Sequence, residues 1–169
     1  MRIESIAARA DLIETVARWQ FDEWGYREPG DSLAARIADL SSQAAHPGRL
    51  PSTFVALDGD EPLGSASVMR EDAAVFRASP RQRGLTPWLA SVYVRPEARG
   101  RGVATALVRR VMAQVAALGV AWLYLFTEGA RGLYEKIGWR VIGTDRYEGL
   151  EMTIMAIDLT PDATPAGEQ

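Results

Sequence analysis

VYVRPEARGRGVA, residues 92–104, decides how this chain is read: a β-branched run ends at Pro96, and a glycine-punctuated turn then opens an amphipathic helix. Gly100 and Gly102 are free to take backbone angles closed to other residues and put no side chain in the way, so consecutive N–H groups can converge on an anion. The unpaired amides of the first helical turn and the positive end of the helix dipole then hold it, with Arg99 and Arg101 adding charge. Two better-known phosphate loops fit badly. A dinucleotide pattern read from Gly100 puts Thr105 where the third glycine belongs, and no Gly-Lys-Ser/Thr follows for a triphosphate loop.

The spacing that does fit is Arg/Gln-x-x-Gly-x-Gly/Ala, read as Arg99, Gly102 and Ala104. It resembles the pyrophosphate-binding motif of the GNAT superfamily of acyl-CoA-dependent N-acetyltransferases. A second stretch, TEGARGLYEKIGW at 127–139, looks like the later motif of that family, Asn-x-x-Ala-x-x-Leu-Tyr-x-x-x-Gly-Phe/Trp, with Ala130, Leu133, Tyr134, Gly138 and Trp139 matching. Thr127 departs from it, because the family often has an asparagine there that hydrogen-bonds the pantetheine arm. The resemblance runs from Thr53 to Leu159 and implies acetyl-CoA as cofactor, but no particular substrate. The fold it implies is α/β: a mixed, mostly antiparallel twisted sheet of about seven strands, splayed at its centre, with helices on both faces.

A chain of 169 residues, 47% of them hydrophobic, can bury one sizeable core, so a single domain over 1–159 with a flexible tail at 160–169 is expected. The net charge of -3 argues against a nucleic-acid binder, which normally carries a basic stripe. With no cysteine there is no disulfide, thiolate metal site or cysteine nucleophile, and no metal site is expected. No apolar run reaches membrane-spanning length, and the N-terminal stretch carries acids where a signal peptide needs an apolar segment. A cytoplasmic protein, monomer or homodimer, with neither membrane nor nucleic acid as partner, is expected.

Alternation predicts a first strand at 2–6, then a helix from an Asp11 N-cap to about Trp24, with Leu12, Val16 and Trp19 on its buried face. Turn residues fill 25–31, and Ser32 caps a second helix with Leu33, Ile37 and Leu40 on one stripe. Residues 53–57 and 62–69 form a hairpin around Asp58-Gly59-Asp60. Residues 71–87 lack a strong period and read as a loop or a poorly formed strand extension. A central strand at 88–94 leads into the glycine turn. The most regular element is a helix from Val103 through Leu107, Val111 and Val115 to Leu118, closed by Gly119. A nearly all-apolar strand at 121–126 is expected to be buried on both faces, a short helix follows at 130–137, and strands at 140–147 and 151–159 close the sheet around Glu148-Gly149.

In the family, the central strand and the one after the long helix splay apart, and the pantetheine arm pairs with free backbone groups in the gap. That implies main-chain contacts at Val92 and Val94, with the amides of Arg99, Gly100, Arg101, Gly102, Val103 and Ala104 on the diphosphate and Thr127 and Ala130 beside the arm. An amine attacking a thioester expels a thiolate that benefits from a nearby proton donor, and Tyr134 is the candidate, as the family often uses this tyrosine. The alternative is a tyrosine that caps the core with its hydroxyl in water. Some family members carry a glutamate near the start of the central strand, a position taken here by Trp88, so the base must be another carboxylate or a water chain. Asp72 is the candidate, with Glu71 and Glu128 behind it; solvated loop acids are the competing reading. Trp24 and Tyr26 are placed to line the acceptor pocket beside acids that attract a cationic amine. His46 has no partner at metal or triad spacing and reads as surface.

The reaction implied is direct acetyl transfer from acetyl-CoA to a primary amine, of a small molecule or a peptide, in a ternary complex. The rival is a CoA-binding module that senses or sequesters the cofactor without turnover, motivated by Trp88 and Thr127.

Overall fold

The computed structural model describes residues 1–27, 30–71, 82, 84–147 and 149–160. Strands β1 (Arg2–Ser5), β2 (Ser52–Asp58), β3 (Glu61–Met69), β4 (Trp88–Val94), β5 (Trp122–Thr127), β6 (Arg140–Tyr147) and β7 (Leu150–Asp158) form one sheet. Their order is β1-β2-β3-β4-β5-β7-β6. Every neighbouring pair is antiparallel except β4–β5, which is parallel. The helices are α1 (Ile13–Trp24), α2 (Leu33–Ala45), α3 (Val103–Ala117) and the short α4 (Arg131–Glu135).

Alternation along β2 shows how the layers are built. Phe54 and Ala56 face α3 and join Val103, Leu107, Val111 and Val115 in the larger core. Val55 and Leu57 point the other way, to Leu12, Val16 and Ala17 of the first helical segment and Leu40 of α2. Period two in the strand and period 3.6 in the helices thus place helices on both faces. A third cluster of Trp88, Tyr147, Met152 and Ile154 lies beyond β4, backed by Tyr124 and Phe126.

Three expectations are corrected. Asp11 does not cap α1: its carboxylate accepts from the Arg9 guanidinium at 3.0 and 2.8 Å, two 3-10 turns carry the chain from Ile6 to Leu12, and Leu12 takes the cap position without a side-chain bond. Strand β5 is not buried on both faces. Leu123 and Leu125 sit in the larger core, while Tyr124 and Phe126 face the aromatic cluster and remain half-buried. The helix expected at 130–137 is confined to α4, because Gly138 adopts φ +97° and the Ile137 and Trp139 amides turn back onto the Tyr134 carbonyl. Ser32 caps α2 as expected, its hydroxyl accepting from the Ala35 amide at 3.1 Å, and Gly119 closes α3 with φ +73°. Of the segment 71–87, residues 72–81 and 83 lie outside the described residues, as do Glu148 and the tail from 161. Among the described residues no helix is long and apolar enough to cross a membrane.

Candidate active site

The parallel pair β4–β5 is joined at one ladder position, Trp88↔Tyr124, supported by the Tyr124 amide donating to the Pro87 carbonyl at 3.1 Å. Past that point the strands part. The cause is visible on the other edge of β4: Ser67 pairs with Ala90 and Ser65 with Tyr93, so Ser91 and Val92 together oppose one residue of β3. This is a β-bulge, and Ser91 absorbs it at φ +51°, an angle non-glycine residues seldom adopt and that bulges next to active sites tolerate.

A cleft of about 370 Å³ opens where the strands diverge. Leu89 to Val92 form one side, and Phe126 to Ala130 with Tyr134 form the other. Trp24 and Glu23 close it from the end of α1, Arg27 from the 3-10 turn that follows, Arg36 from α2, and Tyr147 and Met152 from the outer hairpin.

The glycine turn lies beyond the far end of β4 and is not part of this wall. Gly100 and Gly102 take φ of +74° and +78°, and a Cβ at either would meet nothing within 4 Å, so they are required by conformation and the space above them is open. None of the amides from Gly100 to Ala104 donates to another described residue, which leaves a row of free donors at the start of α3. Val103 has its side chain in the core, so its contribution here is its amide. The Arg99 guanidinium turns back to the Val94 carbonyl at 3.0 Å, whereas that of Arg101 stays exposed, 3.4 Å from Asp58.

Tyr134 reaches the cleft from α4 with 7% of its surface exposed, its ring edge-on to Trp139 at 5.9 Å. Burial raises its phenol from the ordinary 10 to about 12, because the phenolate is denied solvation. Its hydroxyl makes no hydrogen bond to the described residues. Thr127 ends β5 and accepts from the Ala130 amide at 3.0 Å, capping the turn into α4 while its O–H stays available to donate.

Of the two residues expected to line the acceptor pocket, Trp24 lies in the cleft wall and Tyr26 does not. Tyr26 is 74% exposed, and Arg27 leans over its ring at 5.3 Å, donates to its hydroxyl at 2.8 Å, and takes the wall position instead. Arg27 pairs with Glu128 at 3.4 Å, and its carbonyl accepts from the Tyr147 hydroxyl at 3.3 Å. Trp88 is 3% exposed, and its indole N–H donates to the Leu85 carbonyl at 2.7 Å, so an aromatic ring fills the position of the missing glutamate. Asp72 lies outside the described residues, while Glu23 and Glu128 are the described carboxylates of the wall. His46 is exposed at the end of α2, as its isolation in the sequence suggests.

The sequence model of the acetyltransferase (GNAT) family matches residues 13–139, from the start of α1 to Trp139 in the turn after α4. The chain belongs to that family. A search of curated proteins returns no match to the sequence. Among solved structures, this GNAT acetyltransferase superimposes on an aminoglycoside 6'-N-acetyltransferase complexed with coenzyme A at TM-score 0.71 and 16% identity, over 95% of this chain and 98% of that one. The putative acetyltransferase yncA from Salmonella typhimurium, with acetyl-CoA as its cofactor, gives TM-score 0.67 at 18% identity and 99% coverage of both chains. The spermidine/spermine N-acetyltransferase SpeG of Vibrio cholerae gives 0.66 at 18%, covering 94% of each. These similarities establish the seven-stranded GNAT fold, and the family uses acetyl-CoA.

Sequence reasoning missed the Ser91 bulge and the wall positions of Arg27, Arg36, Tyr147 and Met152, while Glu23, expected as an acid beside Trp24, does line the wall. No local signal marks the first, since a bulge is a property of the register of two strands.

Proposed function

We propose that this GNAT acetyltransferase moves the acetyl group of acetyl-CoA to a primary amine by direct attack in a ternary complex. The observation that carries the reading is the parting of β4 from β5 after one ladder pair, with free amides at Gly100 to Ala104 beyond one end and the Tyr134 phenol beside the gap. The two glycines leave open space over those amides, and the strand edges leave unpaired backbone groups, so the residues present fit coenzyme A. The free amides from Gly100 to Ala104 hold the diphosphate, whereas the Arg99 amide expected beside them donates to the Pro96 carbonyl at 3.3 Å. Main-chain groups of Val92 and Val94, with Thr127 and Ala130 opposite, hold the pantetheine arm. Acetyl-CoA supplies the activated thioester.

Ser91 and Val92 of the bulge line the cleft and stand outside the register with β3 and β5, and their backbone N–H groups are the proposed donors to charge developing on the carbonyl oxygen. The amine nitrogen forms the new bond to carbon as the carbon–sulfur bond breaks. Tyr134, ionising near 12, is a weaker acid than a thiol at ~8.5, so it stabilises the departing sulfur mainly as a hydrogen-bond donor. The net proton comes from the amine. Asp72 is the proposed base, with Glu23 and Glu128 as the wall carboxylates that stand in its place if it does not serve.

Trp88 favours a second reading, because no carboxylate occupies that position: a module that binds coenzyme A without turning it over. Thiol release measured with acetyl-CoA and a panel of amines separates the two. Amine-dependent release supports transfer; tight coenzyme A binding with no release on any amine overturns it.

A further inference from the structure

The charges of the cleft wall are mostly spent on one another. Arg36 pairs with Asp31 at 2.7 Å with both side chains largely buried, and Arg27 pairs with Glu128 at 3.4 Å. Among the described wall residues, Glu23 is the carboxylate left without an ion pair, exposed at the end of α1. Among the described residues, a molecule with several ammonium groups would have to give up water around each of them while finding one wall carboxylate, Glu23, not already paired with an arginine.

The bulky uncharged side chains of the wall are aromatic or apolar, and they stand among polar neighbours such as Ser91 and Thr127. Trp24, Phe126, Tyr147 and Met152 are among them. Phe126 meets Tyr147 at 6.1 Å and 59°, and is backed by Trp88 at 6.4 Å and 61°. Trp88 is itself fixed by its hydrogen bond to Leu85. Aromatic faces held this way bind a ring or a bulky apolar group at little entropic cost, and a lone ammonium is drawn to their negative faces. The volume, about 370 Å³, is at the small end of the ~300–1,000 Å³ of small-molecule sites, and the thioester end must share it.

Resting on the acetyl-transfer reading, we propose that the acceptor is a small primary amine bearing one positive charge and an aromatic or bulky apolar group, recognised by Trp24, Phe126, Tyr147 and Met152 with Glu23 on its ammonium. Polyamines and aminosugars are discriminated against by the same wall.

The test is thiol release from acetyl-CoA by the full chain with 2-phenylethylamine, tryptamine, hexylamine, spermidine, kanamycin and a lysine-containing peptide. The expected kcat/KM for 2-phenylethylamine or tryptamine exceeds that for spermidine and kanamycin by at least about tenfold. Trp24→Ala raises KM for 2-phenylethylamine roughly tenfold with a smaller change in kcat, the pattern of lost ground-state binding, while calorimetry with coenzyme A verifies the fold. Spermidine, kanamycin or the peptide reacting as well as the aryl amines overturns the inference and leaves acetyl transfer standing. Coenzyme A binding with no thiol release from any amine overturns the acetyl-transfer reading itself. The wild-type panel decides between these outcomes even if Trp24→Ala does not fold.

Discussion

Removing one oxygen from Tyr134 should separate its chemical role from its place in the core. The phenol is 7% exposed and hydrogen-bonds to none of the described residues, so Tyr134→Phe is expected to change stability at pH 8 by less than about 1 kcal/mol. The pH dependence is where the two proteins should part. In the unfolded chain the phenol ionises near 10, whereas burial holds the proton to about 12 in the native state. Between those values the unfolded chain binds fewer protons, so native stability, intact below pH 10, falls as pH rises through the window. At pH 11 the loss amounts to about 1.4 kcal/mol for a two-unit difference. Urea unfolding of both proteins at pH 8 and pH 11 should therefore show the wild type losing about that much more than the variant. In turnover the variant should lose roughly ten- to a thousandfold in kcat, about 1.4–4 kcal/mol of transition-state stabilisation, with coenzyme A affinity within a few fold. Parallel pH losses would show that the phenol is not shielded, and full activity would hand its role to water.

Gly102→Val places a β-branched residue at φ +78°, where strain of ~1–2 kcal/mol or more must be relieved by moving the turn, and coenzyme A affinity by calorimetry should fall about tenfold or further. Gly64→Ala would set a Cβ 2.4 Å from the Tyr93 carbonyl oxygen and 3.1 Å from the Val94 Cα, so β3 and β4 must shift apart. Its melting temperature should drop by several degrees, consistent with ~1–3 kcal/mol of overpacking; an unchanged melt would refute the close approach. Asp72→Asn should flatten the rising limb of the pH–rate profile if that carboxylate takes the proton, and an unchanged limb assigns the base to Glu23, Glu128 or solvent.

The glycine turn and the helix that follows it were legible because their constraints are local. A glycine at a left-handed position, a proline closing a strand and a run of Val103, Leu107, Val111 and Val115 each act through their own chain neighbours. The acceptor half depends on which way side chains turn once distant segments meet. Tyr26 and Arg27 sit in one 3-10 turn, and nothing in their identities says that the arginine faces the cleft while the tyrosine braces it from outside. Asp11 has the chemistry of a cap but is claimed by Arg9, two positions earlier. The apolar run of β5 suggested two buried faces, yet Phe126 turns its half-exposed ring to the cleft. Ser91 is the hardest case, since its strain arises from the count of residues opposite it on β3.

An unpaired strand edge on the rim of a sheet is a hazard, because any other chain with a free edge can add itself there. In this fold the free edges of β4 and β5 face each other in the interior of the sheet, with β3 and β7 occupying their other sides and helices covering the layers. A second polypeptide cannot slide into that slot, for its side chains have nowhere to go. A thin, flexible arm with amide groups of its own can. The same geometry that opens backbone to a cofactor therefore keeps those two edges from pairing with the edge of another sheet.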